Sequence, residues 1–228
     1  MSTPATTSWF VAAGPTHEPI DQVRYIGNRS SGSLGVCIAD AASDTDDHAM
    51  VELALGPSCQ APNRRVRLSR FVTTDDLKRL MRDRAAPADI VVMAAAVADF
   101  RLAEPHAGKL PRNDAASLEL VPTPDLLQCL MRHRQDDQLT VGFALEHEDT
   151  LDTRASEKLA RKGVDVIIAN PLRTMESATI EAKVFASPVC TPAFTGCPSI
   201  ASKADFARWL VEACDRALAI KRDPSRLR

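Results

Sequence analysis

Residues 23–35 read VRYIGNRSSGSLG, a short apolar run that passes into a helix-like segment through small hydrogen-bonding residues. The first backbone N–H groups of a helix have no partner inside the helix, and they lie at the positive end of its dipole. Ser30, Ser31 and Gly32 therefore indicate either an ordinary capped helix start or a pocket for an anion. The spacing is neither GxGxxG nor GxxxxGKS, which excludes a dinucleotide or Walker-type phosphate loop.

Outward from this turn, short apolar runs alternate with amphipathic segments. This pattern is typical of parallel strands buried on both faces between helices, so we predict an α/β fold with a mainly parallel sheet. Helix starts are predicted at Thr74, Thr123 and Ser202. The clearest predicted strands are Trp9–Ala13, Ala49–Leu55, Asp89–Ala95, Leu139–Leu145 and Val164–Ala169, with weaker ones at Arg65–Phe71 and Ser117–Val121.

Two regions interrupt the alternation. Residues 97–122 contain several prolines and a glycine, and they predict a loop long enough to move over a site. Residues 171–201 contain further prolines around short alternating pieces, and they predict an irregular hairpin or flap. The chain of 228 residues is expected to form a single domain, 1–228.

Composition excludes several classes of partner. The net charge of -2 provides no broad positive field, so neither nucleic acid nor an anionic membrane is expected to bind. The six cysteines form no CxxC pair, which predicts reduced thiols and a cytoplasmic protein. No run approaches the ~20 apolar residues of a membrane span, and the start resembles no signal peptide.

Ligands of an open parallel sheet collect beyond the carboxyl ends of its strands. Asp99 follows one very apolar strand, where it either caps a turn or binds a ligand. Lys158 and Lys162 are four positions apart on one predicted helix, where they either hold a triphosphate or face solvent at the negative end of the dipole. Lys109, in a loop bounded by glycine and proline, has the same ambiguity.

Several motifs in order resemble the phosphopantothenoylcysteine synthetase family, over about Val11 to Asn170. They are AAGPTHEPIDQVRYIGNRSSGSLG, AAAVADF followed by GKL, TPDLL, VGFALE and EKLARKGVDVIIAN. The resemblance implies a Rossmann-like, three-layer α/β fold and a ligase that condenses 4'-phosphopantothenate with L-cysteine in coenzyme A biosynthesis. It further implies an acyl-nucleotidylate intermediate made from CTP, with ATP as the alternative, together with Mg²⁺ and a homodimer. The flavin-dependent half of bifunctional relatives has no counterpart here, so no flavin is expected.

The resemblance also implies roles for individual residues. Asn28 and Lys109 match catalytic positions, and Arg24 matches a substrate-binding arginine near the dimer contact. We assign the phosphate of phosphopantothenate to Ser30, Ser31 and Gly32 from the anion-pocket argument. The metal ligands are unknown. The positions matching the nucleotide pocket are Ala94, Ala95, Asp99, Lys109, Pro124, Asp125, Phe143, Lys158 and Lys162.

Three departures from the family pattern, at Pro15, Ser33 and Pro111–Arg112, leave other functions open. Ser33 stands where relatives commonly carry a lysine or arginine, so substrate binding is expected to be weaker. A nucleotide-binding or regulatory homologue with little turnover is therefore one alternative. An NAD(P)-dependent oxidoreductase is another alternative. The second strand of such an enzyme is expected to end in an acidic residue, whereas the second strand of this chain is followed by Gly56-Pro57-Ser58 after Leu55.

Overall fold

The computed structural model describes residues 6–45, 49–111 and 117–223. Its helices are α1 (Ser33–Thr45), α2 (Thr74–Leu80), α3 (Leu126–Met131), α4 (Leu151–Lys162) and α5 (Lys203–Lys221), and a π-helical turn, Met81–Ala85, continues α2. The strands are β1 (Ser8–Pro15), β2 (His17–Pro19), β3 (Tyr25–Gly27), β4 (Met50–Leu55), β5 (Arg67–Arg70), β6 (Ile90–Ala96), β7 (Phe100–Leu102), β8 (Leu120–Pro122), β9 (Leu139–Glu146), β10 (Val166–Pro171), β11 (Thr179–Glu181), β12 (Lys183–Ala186) and β13 (Ile200–Ser202).

Seven strands form the central sheet in the order β12-β10-β9-β6-β1-β4-β5. All neighbouring pairs are parallel except β10 with β12. The middle strands are almost wholly buried because helices cover both faces, which is why their sequences are continuous apolar runs rather than alternating ones. The predicted parallel α/β fold and its five clear strands are confirmed.

The helices form two layers. Helices α1 and α5 pack on one face of the sheet with Val11 and Ala13, and α2, α3 and α4 pack on the other face with Phe10 and Ala12. Successive residues of a strand point to opposite faces, so one strand serves both cores. The predicted apolar stripe of α5 is buried, including Phe206, Leu210, Ala213, Cys214, Ala217 and Leu218. The three-layer Rossmann-like arrangement is thus confirmed.

Helix α2 begins at Thr74, as predicted, but only one of the three predicted residues acts as a helix cap. The Ser202 hydroxyl caps α5 by accepting from the Asp205 N–H, as expected. Helix α2 is capped by Thr73 rather than Thr74, since the Thr74 hydroxyl is bound to Glu18. Helix α3 is capped by Asp125 rather than Thr123, whose hydroxyl donates to the Ala98 carbonyl.

The two interrupted regions contain more strand structure than predicted. Residues 97–122 are not simply a loop, because β7 and β8 pair as an antiparallel ribbon at its base. Within residues 171–201, β12 does not form a flap but extends the central sheet, whereas β11 pairs with β13 beside it. No helix in the described ranges is both long and apolar enough to cross a membrane.

Candidate active site

A cleft of about 450 Å³ lies on the α2–α4 face of the sheet, where β6 and β9 approach α3 and α4. Its walls are the loop after β6, the segment before α3, and one face of α4. It contains seven of the predicted site residues, which come from four separate segments between positions 95 and 162 that the sheet brings together. These residues are Ala95, Asp99, Pro124, Asp125, Phe143, Lys158 and Lys162.

Lys158 and Lys162 extend into the cleft from the C-terminal half of α4. The helix buries Leu151 and Ala155 against the sheet, and side chains on a helix lean toward its N-terminus, which carries the ammonium groups toward the cleft. Lys158 Nζ donates to the Phe143 carbonyl at 2.8 Å, and Lys162 Nζ is paired with the Asp125 carboxylate.

Partial burial lowers the pKa of both lysines, against the opposing effect of Glu146 on Lys158 and of Asp99 on both. An ammonium group that has lost part of its water gains more from a bound anion than an exposed one does. Both lysines are partly buried, so their side chains are not fully solvated on the helix surface.

The loop that carries Asp99 is held on both sides. Thr123 N donates to the Asp99 carbonyl at 2.9 Å, and the Thr123 hydroxyl donates to the Ala98 carbonyl at 2.5 Å. On the opposite side, Asn28 Nδ2 donates to the Val97 carbonyl at 2.8 Å. Asn28 therefore lies at the rim of the cleft, although it is distant from Asp99 in sequence.

The serine turn precedes α1, as predicted. Gly32 has a φ of +67°, and its N–H donates to the Ser30 hydroxyl at 3.2 Å. Gly35 allows α1 to lie against β1, because a Cβ there would be 2.4 Å from the Ala13 Cβ. The Ser31 and Ser33 hydroxyls are 2.9 Å apart.

One cation at this turn was missed by the sequence analysis. Lys203, the first residue of α5, donates from Nζ to the Ser33 hydroxyl at 2.8 Å, and it has no carboxylate partner in the ranges the structure describes. The Lys203 ammonium group therefore lies next to Ser33, the position where relatives commonly carry a lysine or arginine. No local pattern signals this, since the two residues are 170 positions apart.

Three predicted residues lie elsewhere. The Ala94 side chain packs with the α1 and α5 core, on the opposite face of β6 from Ala95. Lys109 is exposed and does not line the cleft. Arg24 is paired with Asp21 and donates to the Leu110 carbonyl at 3.0 Å, so it holds the segment containing Lys109. Arg112 lies outside the described residues.

Asp21 organises this contact. Its carboxylate accepts from the backbone N–H groups of Val23 and Arg24 at 2.8 Å each, and from that of Leu110 at 3.0 Å. The Arg24 guanidinium, together with these N–H groups, holds the pKa of Asp21 well below its usual range. These bonds therefore attach the segment before Pro111 to residues 21–24.

The cleft offers limited ligation for a metal ion. No group of three His, Cys, Asp or Glu side chains that could hold a metal occurs in the described part of the chain. Asp125 is engaged by Lys162, which leaves the Asp99 carboxylate as an exposed oxygen donor at the cleft. One carboxylate suits Mg²⁺, which usually keeps waters and binds mainly through substrate phosphates.

Comparison with known proteins identifies the family. The model of the DNA/pantothenate metabolism flavoprotein C-terminal domain matches residues 5–216, which extends beyond Asn170, where the motif resemblance ends. The chain is 39% identical over 166 residues to a cysteine/cysteine sulfinic acid decarboxylase from an unknown prokaryotic organism. It is 35% identical over 161 residues to the coenzyme A biosynthesis bifunctional protein CoaBC of Haemophilus influenzae.

These alignments cover 72% and 70% of this chain, but only 45% and 40% of the two relatives. The chain therefore spans less than half the length of the curated relatives it matches.

Solved structures agree with this match. The crystal structure of the C-terminal domain of CoaBC superposes with a TM-score of 0.72 at 26% identity, over 95% of this chain and 97% of that one. A DNA/pantothenate metabolism flavoprotein from Streptococcus pneumoniae shares the fold, with a TM-score of 0.76 at 21% identity, over 93% of this chain and 99% of that one. The family expected from the motifs is confirmed: the chain belongs to the family of the DNA/pantothenate metabolism flavoprotein C-terminal domain.

Proposed function

We propose that the protein is a ligase that joins 4'-phosphopantothenate to L-cysteine, in the manner of phosphopantothenoylcysteine synthetases. The observation that carries this proposal is the convergence of Asp99, Lys158 and Lys162 on one cleft with Asn28 at its rim. The relationship to CoaBC over the C-terminal domain supports it. The unit that acts is proposed to be a single domain comprising residues 1–228.

The first step activates a carboxylate, which is a poor acyl donor. An oxygen of the phosphopantothenate carboxylate attacks the α-phosphorus of the nucleotide, the bond from that phosphorus to the bridging oxygen breaks, and pyrophosphate leaves. Negative charge develops on the phosphoryl oxygens, and the ammonium groups of Lys158 and Lys162 stabilise it. Phe143 and the Pro124–Asp125 segment hold the nucleotide, which we propose to be CTP, with ATP as the alternative.

Asp99 is the residue proposed to hold Mg²⁺, together with the phosphates of the nucleotide. When bound there, Mg²⁺ supplies Lewis acidity and partial neutralisation of the triphosphate. Asp99 has the residue type and the exposure that such a role requires. The bond from the Thr123 N–H to the Asp99 carbonyl holds the main chain of Asp99 at the cleft.

In the second step the cysteine amine attacks the acyl carbon, and the nucleoside monophosphate leaves with the bonding electrons. Asn28 is a neutral amide, so it holds the acyl oxygen without being acylated itself. Its hydrogen bond to the Val97 carbonyl attaches it to the loop that carries Asp99, and the serine turn follows it directly in the chain. The turn Ser30–Gly32 and Lys203 receive the phosphate of phosphopantothenate. Arg24 is proposed to bind substrate and Lys109 to serve catalysis and nucleotide binding, both from the segments joined by Asp21.

A direct assay tests the reaction. Purified protein with CTP, Mg²⁺, phosphopantothenate and cysteine is expected to release one pyrophosphate for each phosphopantothenoylcysteine formed, measured by coupled phosphate detection and mass spectrometry. Repeating the assay with ATP, GTP and UTP identifies the nucleotide. Binding of CTP with no pyrophosphate release from any nucleotide would instead establish the regulatory alternative.

A homodimer is proposed to form through the hairpin surface, a set of exposed apolar residues on and directly beside the two antiparallel ribbons β2–β3 and β7–β8. Apolar patches of this kind mark protein interfaces. Its members, each more than two fifths exposed, are Val23, Tyr25, Phe100, Leu118 and Leu120.

Introducing a charge into the hairpin surface is expected to separate the dimer. Leu120→Asp would place a carboxylate in the interface, at a cost that should raise the dissociation constant by roughly 100-fold or more. Sedimentation velocity at micromolar concentration measures the change. Leu68→Asp is the matched control, because Leu68 is 41% exposed and Leu120 45% exposed, but Leu68 lies on edge strand β5. An unchanged mass for Leu120→Asp would place the interface elsewhere.

A further inference from the structure

A buried carboxylate lies behind the loop that carries Asp99. Glu18 is 2% exposed, and no lysine, arginine or histidine pairs with it in the ranges the structure describes. Its Oε1 accepts from the Thr74 N–H and from the Thr74 hydroxyl, both at 2.7 Å. A buried charge held only by neutral donors is costly, which argues that its contacts serve something beyond packing.

The contacts continue from Glu18 to the loop. The Thr74 and Thr16 hydroxyl oxygens are 3.4 Å apart, and both residues are fully buried. Thr16 Oγ1 accepts from the Ala98 N–H at 2.9 Å. The chain therefore runs from a carboxylate through two hydroxyl groups to one backbone amide of the loop.

The carboxylate orients the Thr74 hydroxyl. An ionised carboxylate only accepts, so the Thr74 hydroxyl proton is directed to Glu18 at 2.7 Å, and the same hydroxyl donates more weakly to Thr16 Oγ1 at 3.4 Å. Thr16 Oγ1 therefore accepts both from the Thr74 hydroxyl and from the Ala98 N–H. Without the carboxylate, the Thr74 hydroxyl is free to turn away, and Thr16 loses the contact that orients its oxygen toward the Ala98 N–H.

Ala98 is the centre of the loop in the proposed mechanism. On one side of it, the Val97 carbonyl accepts from Asn28, and on the other side lies Asp99. Thr16 also donates from its own N–H to the Ala96 carbonyl at 3.2 Å. The loop is thus attached to Thr16 at two points, one on each side of Val97.

We infer that Glu18 is a positioning residue, which acts through Thr74 and Thr16 to fix the Ala98 amide and so to hold Asp99 and Asn28 in register across the cleft. This rests on the proposed function, in which both residues serve one reaction. The Glu18 side chain is buried, so its proposed role is exerted through Thr74 and Thr16.

The chain offers a matched control on the opposite edge of the sheet. Asp165 is also buried, and it accepts from the Thr140 N–H at 2.8 Å and from the Thr140 hydroxyl at 3.0 Å. This pair lies at the amino ends of β9 and β10, away from the cleft. Thr140→Val therefore removes an equivalent buried hydroxyl bond to a carboxylate without altering the loop.

The experiment compares Glu18→Ala, Glu18→Gln, Thr74→Val and Thr140→Val by three measurements: melting temperature, hydrogen exchange of the Ala98 amide without nucleotide, and the Kd for CTP. Glu18→Ala and Thr74→Val are expected to speed Ala98 exchange and to raise the Kd by about 5- to 10-fold, the effect of losing one hydrogen bond. Glu18→Gln is expected to restore both values, since its amide oxygen still accepts from Thr74. Thr140→Val should lower the melting temperature while leaving exchange and Kd unchanged.

Two results would overturn the inference: unchanged Ala98 exchange in Glu18→Ala, or an equal change of exchange and Kd in Thr140→Val. If the unsubstituted protein does not bind CTP, the proposed function fails. The exchange of Ala98 still decides the positioning role in that case, because that measurement requires no nucleotide.

Discussion

Lys162→Met will reduce kcat/KM for pyrophosphate release by about 10²- to 10³-fold, the effect of removing one preorganised group that stabilises transition-state charge. The Lys162 side chain is only 12% exposed and lies beside Asp125 at the cleft, so its charge acts in a partly dehydrated setting where electrostatic interactions are strong. Methionine keeps the length and the apolar stem of lysine. The loss is therefore of the charge and not of packing.

Initial rates at varied CTP concentration measure this effect, and circular dichroism checks that α4 remains folded. Lys183→Met is the control. Lys183, on strand β12, forms an exposed ion pair with Asp152 of α4 and lies outside the cleft. Lys162→Arg should recover part of the activity, since it restores the charge with a different shape. A kcat/KM within threefold of the unsubstituted protein for Lys162→Met would remove this residue from the proposed triphosphate site.

The second large effect is expected at Lys203. Lys203→Met should raise the KM for phosphopantothenate by roughly 10- to 100-fold, the effect of losing one charge-assisted hydrogen bond, with the KM for CTP nearly unchanged. The reason is its position: the ammonium group donates to Ser33 at the start of α1 and has no carboxylate partner among the residues described. A phosphate at the serine turn would provide the missing counter-charge.

Relocating the charge makes this test specific. Adding Ser33→Lys to the Lys203→Met protein returns an ammonium group to the turn from α1, so the KM for phosphopantothenate should recover. Arg208→Met is the control on α5, because Arg208 is exposed and pairs with Asp205 at the outer surface. An unchanged phosphopantothenate KM in Lys203→Met would contradict the assignment of this turn to the substrate phosphate.

Much of the candidate site follows from local signals. Residues after parallel strands meet at one edge of the sheet, which predicts Asp99 at the site, whereas Phe143 lies within its strand and was assigned to the pocket by the family resemblance. The spacing of Lys158 and Lys162 beside the apolar stripe of α4 put both on one side of that helix. The helix caps were predicted less well, because the Thr74 and Thr123 hydroxyls bind distant partners, Glu18 and Ala98, instead of their own helices.

The sequence by itself determined the layered parallel sheet, because continuous apolar runs can be buried only when helices cover both faces. It also determined the family, through motifs that occur in one order. The tertiary structure alone decided that Lys203 stands beside Ser33, that Arg24 donates to the Leu110 carbonyl, and that Glu18 is linked to Ala98. These contacts join residues far apart in the chain, and their geometry depends on how the layers pack, which no periodicity or local spacing records.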